Sequence, residues 1–143
     1  MEKLYRHESL EASEKTLWNI LELIREGIWD WNVRSGEVYR SPGWYRMLGY
    51  EVGSLKDDVL TWENIIHPDD YLRVMAHFEA YIKGRSDRYC IEYRCKCRNG
   101  RYLWIEDKAK IIETSPEGKV LRVIGAQSRF GRSAGQQHLI KTT

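Results

Sequence analysis

With 143 residues and a net charge of +2, the chain can bury one core without staples, and its charge points neither to nucleic acid nor to an anionic membrane. No apolar stretch nears the roughly 18 residues of a membrane span, and Met1-Glu2-Lys3 does not begin a secretory signal. Six Trp and nine Tyr depart from ordinary composition and give a small core much apolar area, with N–H and O–H groups left for specific contacts.

The first predicted element is an amphipathic helix over residues 9–26. Leu10, Leu17, Leu21 and Ile24 recur at helical spacing, Ser13 offers a start signal and Gly27 an end. The stripe Leu17, Leu21, Ile24 lies ahead of the first strand. It packs either on the domain as a satellite or against a second copy of itself as a dimer face, and it is too short for a coiled coil.

Residues 28–33 alternate as a half-buried strand does, with Trp29, Trp31 and Val33 on one face and Asp30 and Asn32 on the other. Arg34-Ser35-Gly36 turns the chain into a short second strand, Glu37 to Arg40. Ser41 is a helix N-cap, Pro42 suits the first helical position and Gly49 the stop, so a two-turn helix carries Trp44, Tyr45, Met47 and Leu48. Residues 51–67 read as short helical turns joined by loops. After Pro68, Asp69 caps the next helix, along which Tyr71, Val74, Met75, Phe78 and Ile82 share a face as far as Gly84.

From Tyr89 to Cys97 the alternation is strict, Tyr89, Ile91, Tyr93, Cys95 and Cys97 opposing Arg88, Glu92, Arg94, Lys96 and Arg98. Asn99-Gly100 is a hairpin signal leading to a strand from Tyr102 to Glu113. Strict two-residue pairing would set Tyr93 opposite Glu106 and Ile91 opposite Lys108, so a longer loop or a bulge is expected. Ser115-Pro116-Glu117-Gly118 turns into a last strand over residues 119–130, and the polar residues 131–143 read as a linker or disordered tail. Helices gathered in the middle, with strands in antiparallel succession around them, make the chain α+β: one antiparallel sheet covered on one face.

These pieces, in this order, resemble a PAS domain of the bacterial sensory-box type with its associated C-terminal motif. The resemblance covers about residues 27–128. It rests on Gly27-Ile28-Trp29-Asp30-Trp31, Ser41-Pro42 through Leu48-Gly49-Tyr50, His67-Pro68-Asp69-Asp70, Glu92-Tyr93-Arg94 through Asn99-Gly100, Trp104-Ile105, and Gly118-Lys119 through Ile124-Gly125. It implies a five-stranded antiparallel sheet whose concave face, with the central helices, encloses a small pocket. It also implies a sensory or dimerisation role without catalysis, upstream of a histidine kinase or a diguanylate cyclase. Residues 1–26 would then be a dimer or signalling helix and 27–130 the sensor. Two departures stand out: Gly53-Ser54-Leu55 replaces the relatives' Glu-Glu-Leu, removing an acidic partner for a strand Arg or Lys, and Arg129-Phe130-Gly131 replaces the Asp-Ile-Thr that links sheet to output helix.

Within that fold the pocket residues are expected to be Trp44, Trp62, Phe78, Tyr93 and Trp104, with few polar groups to orient a small organic ligand, or else those aromatics simply fill the core. Enzyme motifs are absent: no Gly-rich phosphate loop, zinc-type Cys/His spacing or nucleophile elbow occurs, so no catalytic or metal residue is assigned. Asp69-Asp70 reads as helix-terminal charge. Cys90, Cys95 and Cys97, an odd set inside a strand, read as reduced thiols of a cytoplasmic protein, whose longer parent could still carry a membrane anchor. His67 reads as a loop-closing hydrogen-bonding residue. His77 falls at the edge of the apolar helix face, so haem is not expected there. The central helices carry no Cys for a flavin adduct, and flavin is not expected either. The strand cations Arg88, Arg94, Lys96, Arg98 and Arg101, offset by Glu92, Glu106 and Asp107, read as a solvated face rather than a nucleic-acid surface. The partners expected are a second copy of the chain and an output domain, with no direct membrane contact. Two competing readings are a small cone-shaped α+β enzyme with an aromatic pocket, which would need an acid/base pair inside it, and an interaction module with no ligand.

Overall fold

The computed structural model describes residues 10–129. Helix α1 spans Leu10–Leu23, followed by strands β1 (Gly27–Asn32) and β2 (Val38–Arg40). Three helices come next, α2 (Pro42–Leu48), α3 (Val59–Ile65) and α4 (Pro68–Ile82), and then β3 (Tyr89–Lys96), β4 (Tyr102–Thr114) and β5 (Val120–Arg129). The fold is the expected α+β arrangement, a five-stranded antiparallel sheet in the order β2-β1-β5-β4-β3. Because β2 and β3 are opposite edges, the chain must cross the whole sheet between them. Helices α2 to α4 make that crossing, which is why they roof a single face. Phe130 and the tail 131–143 lie outside the described residues.

Local chemistry sets the boundaries. Ser41 caps α2 by accepting from the Trp44 N–H at 3.4 Å, and its Oγ also accepts from the Ile28 N–H at 2.9 Å, tying the helix start to β1. Gly49 ends that helix at φ +84°, a conformation that favours glycine. The loop region 51–67 holds one proper helix, started by Asp58, whose carboxylate accepts from the Thr61 N–H at 3.0 Å. Helix α4 departs from expectation at its cap. His67 occupies the N-cap, its Nδ1 accepting from the Asp69 N–H at 3.0 Å, with Pro68 in the first turn. Its expected role in closing the loop therefore holds, and the capping expected of Asp69 does not.

Asp70 is not merely helix-terminal charge. It is buried and grips β3: Arg94 donates from Nε and Nη2 at 2.9 Å each, and the Arg94 backbone N–H adds a third bond at 2.9 Å. Burial raises the Asp70 carboxyl, but these donors and the Arg73 guanidinium outweigh it and hold the group at about 2. The acidic partner absent from residues 53–55 is thus supplied by α4.

The β3–β4 hairpin has the longer loop. Cys97 N–H donates to Arg101 O at 2.7 Å and Gly100, at φ +88°, donates to Cys97 O at 3.0 Å, leaving three residues in the turn. Tyr93 consequently faces Ile105, and Ile91 faces Asp107. That single added residue decides which side chains of β4 enter the core. With it, Leu103, Ile105 and Asp107 point inward; strict two-residue pairing would have put Glu106 and Lys108 there instead. The main core lies between α2, α3, α4 and the β3–β4 half of the sheet, around Trp44, Leu48, Val74, Tyr93 and Ile105.

Helix α1 packs on the domain. Leu21 is buried, Trp18 meets Tyr39 edge-on at 5.4 Å, and Glu22 pairs with Arg46 of α2 at 3.5 Å. Leu17 stays 53 % exposed and Ile24, just past the helix, is half-buried. Cys90, Cys95 and Cys97 form no disulfide.

Candidate functional site

Inward-facing side chains of the central strands and the roofing helices leave a cavity of about 40 Å³. Trp29 and Trp31 of β1, Trp44 of α2, Trp62 of α3 and Phe78 of α4 form most of its wall. Trp29 can lie flat over β5 because its cross-strand neighbour is Gly125, where an added Cβ would collide with the indole. Phe78 braces the wall from α4, 5.7 Å from the Trp31 ring and 5.3 Å from the Trp62 ring. Aromatic contacts of this kind fix ring orientation beyond what area burial alone would do.

Three polar side chains also reach the cavity: Arg40, Asp107 and Gln127. Asp107 is 1 % exposed and anchors a network. Its Oδ1 accepts from Trp29 Nε1 at 3.0 Å, and its Oδ2 accepts from Tyr93 OH at 2.7 Å, Tyr89 OH at 3.3 Å and Gln127 Nε2 at 3.2 Å. Trp62 Nε1 donates to Tyr93 OH at 2.7 Å, and Trp44 Nε1 donates to Gln127 Oε1 at 2.9 Å. Three of the four cavity tryptophans are therefore hydrogen-bonded into one network centred on a carboxyl group.

Burial pushes the Asp107 carboxyl up, its four donors pull it down, and it stands at about 6. Burial first, and then the Asp107 charge, push the Tyr93 and Tyr89 hydroxyls well above their ordinary range. Asp107 was expected on the solvated face among the strand charges; the hairpin register places it in the core instead. It does not act as a poised general base, because both its oxygens are already engaged by donors from four side chains.

Of the five residues expected around a pocket, the structure brings Trp44, Trp62 and Phe78 to the cavity wall. Tyr93 sits behind that wall, wholly buried, and reaches it through Trp62 and Asp107. Trp104 is a correction. It pairs across the ladder with Arg94, whose guanidinium stacks over its ring at 5.1 Å, so it lies on the outer face of the sheet. His77 is likewise away from the cavity, accepting from the Cys90 N–H at 3.3 Å and stacking on Tyr89 at 5.1 Å. Sequence reasoning missed Trp29, Trp31, Arg40, Asp107 and Gln127 as cavity residues. Each sits at an inward position of an alternating strand, and that pattern was the available signal.

Residues 37–127 match the sequence model of the family described as PAS fold. The chain belongs to the PAS family. It is similar to a sensory box histidine kinase/response regulator from Burkholderia thailandensis E264, at 28 % identity and a TM-score of 0.69, over 88 % of this chain and 92 % of that one. The N-terminal domain of a diguanylate cyclase with PAS/PAC sensor from Marinobacter aquaeolei is similar at 26 % identity and a TM-score of 0.64, over 73 % and 94 %. A light-oxygen-voltage (LOV) protein from Rhodobacter sphaeroides shares the fold alone, at 14 % identity and a TM-score of 0.67, over 92 % of this chain and 74 % of that one. Among functionally curated sequences, none matches significantly. The chain is thus a PAS sensory domain, a class of signalling module rather than of catalyst.

A flavin is the cofactor that the light-oxygen-voltage likeness would suggest. The residues do not fit one as they stand. Ligand sites of cofactor size run to about 300 Å³ or more, and here Trp29, Trp44, Trp62 and Phe78 occupy the space, leaving about 40 Å³. Cys90, Cys95 and Cys97 all lie on or just after β3, and none of them is carried by a roofing helix.

Proposed function

We propose that residues 27–130 are the input module of a bacterial signalling protein, coupling the state of the aromatic cavity, or of a bound partner, to an attached output domain of the histidine kinase or diguanylate cyclase kind. The observation that carries this reading is the network joining cavity to strand. Trp44 and Asp107 both bond Gln127, and Gln127 lies two residues before the end of β5, where the chain leaves the domain. A ligand that moves Trp44 or Asp107 therefore acts on Gln127 directly. It shifts the module's equilibrium only as far as it binds the two arrangements unequally.

Helix α1 is the second half of the reading, as a dimer and signalling element working in the cytoplasm. Leu17, at 53 % exposure, leaves an apolar stripe uncovered beside the half-buried Ile24, while Leu21 on the same face holds the helix to the domain. Analytical ultracentrifugation tests it. Wild-type chain is expected to self-associate and Leu17→Glu to shift the dissociation constant at least tenfold toward monomer. Unchanged self-association in Leu17→Glu removes the assigned dimer face, and a monomeric wild type removes the dimer.

A further inference from the structure

Arg40 is a buried cation that no carboxylate among the described residues pairs with. It is 5 % exposed, and its guanidinium carbon lies 5.0 Å from the centroid of Trp44, its neighbour in the cavity wall. Its Nη1 donates to Lys56 O at 3.2 Å and its Nη2 to Asp58 O at 2.8 Å. A guanidinium has five N–H donors and holds its charge throughout the accessible pH range. Among the described residues no carboxylate forms an ion pair with it; Asp57 and Asp58 act on it only from a distance.

The other charged group of the cavity does not fill this role. Asp107 sits on β4, with β1 and β5 between it and the β2 strand that carries Arg40. Its oxygens are already supplied by Trp29, Tyr89, Tyr93 and Gln127. A charge removed from water is costly unless it is paired, and the Arg40 end of the cavity is where an incoming anion would gain most. The remaining wall is aromatic and apolar, so an inorganic anion would lose its hydration there for little return, whereas a hydrocarbon group would be welcome. The space is narrow: one water needs about 10–15 Å³, and the cavity offers about 40 Å³.

We propose that the cavity takes a short aliphatic monocarboxylate, of the size of acetate or propionate, with its carboxylate on Arg40 and its hydrocarbon end against Trp29, Trp44, Trp62 and Phe78. This deepens the reading of the cavity as a ligand site and rests on it. Isothermal titration calorimetry is the readout, since indole, one of the probes, emits where the four wall tryptophans do.

The experiment titrates the whole 143-residue chain with sodium propionate, propionamide, sodium nitrate and indole at constant ionic strength. Propionate is expected to bind at least tenfold more tightly than propionamide, its neutral isostere, and more tightly than nitrate. Arg40→Gln is expected to bring propionate down to the level of propionamide. Equal affinity for propionate and propionamide, or indole binding while propionate does not, overturns the charge assignment and leaves the ligand site standing. Nitrate binding as tightly as propionate overturns the organic part. No saturable response to any of the four probes overturns the ligand site itself. The comparison of propionate with propionamide needs no variant, so it decides the matter even where Arg40→Gln fails to fold.

Discussion

Asp107 and Asp70 are both buried carboxyls, yet their surroundings drive them in opposite directions. Asp70 meets two guanidinium groups and is held at about 2, so its stabilising contribution is present above its ordinary 3.8 and is lost as the pH falls toward 2. Asp107 meets only neutral donors, and burial raises it from 3.8 to about 6. Between those two values the folded state binds more protons than the unfolded state, so stability declines as the pH rises from 3.8 through 6 and then levels. The upper bound on that decline is about 3 kcal/mol, since the one extra bound proton makes stability fall by roughly 1.4 kcal/mol for each pH step of one. Urea unfolding of wild type and Asp107→Asn at about pH 4.5 and about pH 7.5, on either side of the Asp107 midpoint, isolates it. The wild type is expected to lose more stability between the two pH values than the variant, which has no carboxyl to ionise. Parallel losses in the two proteins would mean that Asp107 is not a buried titrating group.

At the scale of elements, much of the fold was legible because periodicity and punctuation are local signals. Ser41, Pro42 and Gly49 bounded α2, and strict alternation identified β3 and its buried face. What was not legible depended on pairing between distant segments. One extra residue in the 98–100 turn flips β4, and with it Asp107 moves from the expected solvent face to the core. The same register sends Trp104 outward. Only tertiary contact shows that Asp70 reaches β3 while His67 caps α4. Of the site, Trp44, Trp62 and Phe78 could be anticipated from composition and helix faces, whereas Trp29, Trp31, Arg40 and Gln127 required strand pairing to be seen. The packing of β1 on β5 carries its own prediction. Gly125 lies beneath the Trp29 indole, and its Cβ-bearing replacement would push that ring off the strand. Gly125→Ala is expected to cost about 1–3 kcal/mol and to alter the tryptophan emission spectrum, through Trp29 and its bond to Asp107. A variant with wild-type stability and emission would show that Trp29 does not rest there.

Taken whole, the molecule is a five-stranded sheet roofed on one face, with the crossing from β2 to β3 supplying the roof. The segment between α1 and β1 and the end of β5 both lie against α2. The carbonyls of Ile24 and Glu26, between α1 and β1, sit close over Gly43, and Ser128 and Arg129 at the end of β5 line the same groove. On the proposed reading a change in the interior passes to these two segments, which requires that the helices close on the sheet and keep water from the network beneath. The Asp107 carboxyl reports that closure most directly. Carbon-13 NMR titration of its side-chain carboxyl in the wild-type chain is expected to give a midpoint near 6. A midpoint at 3.8, the value of a carboxyl free in water, would mean that the helices do not close over the group and would leave no sealed cavity.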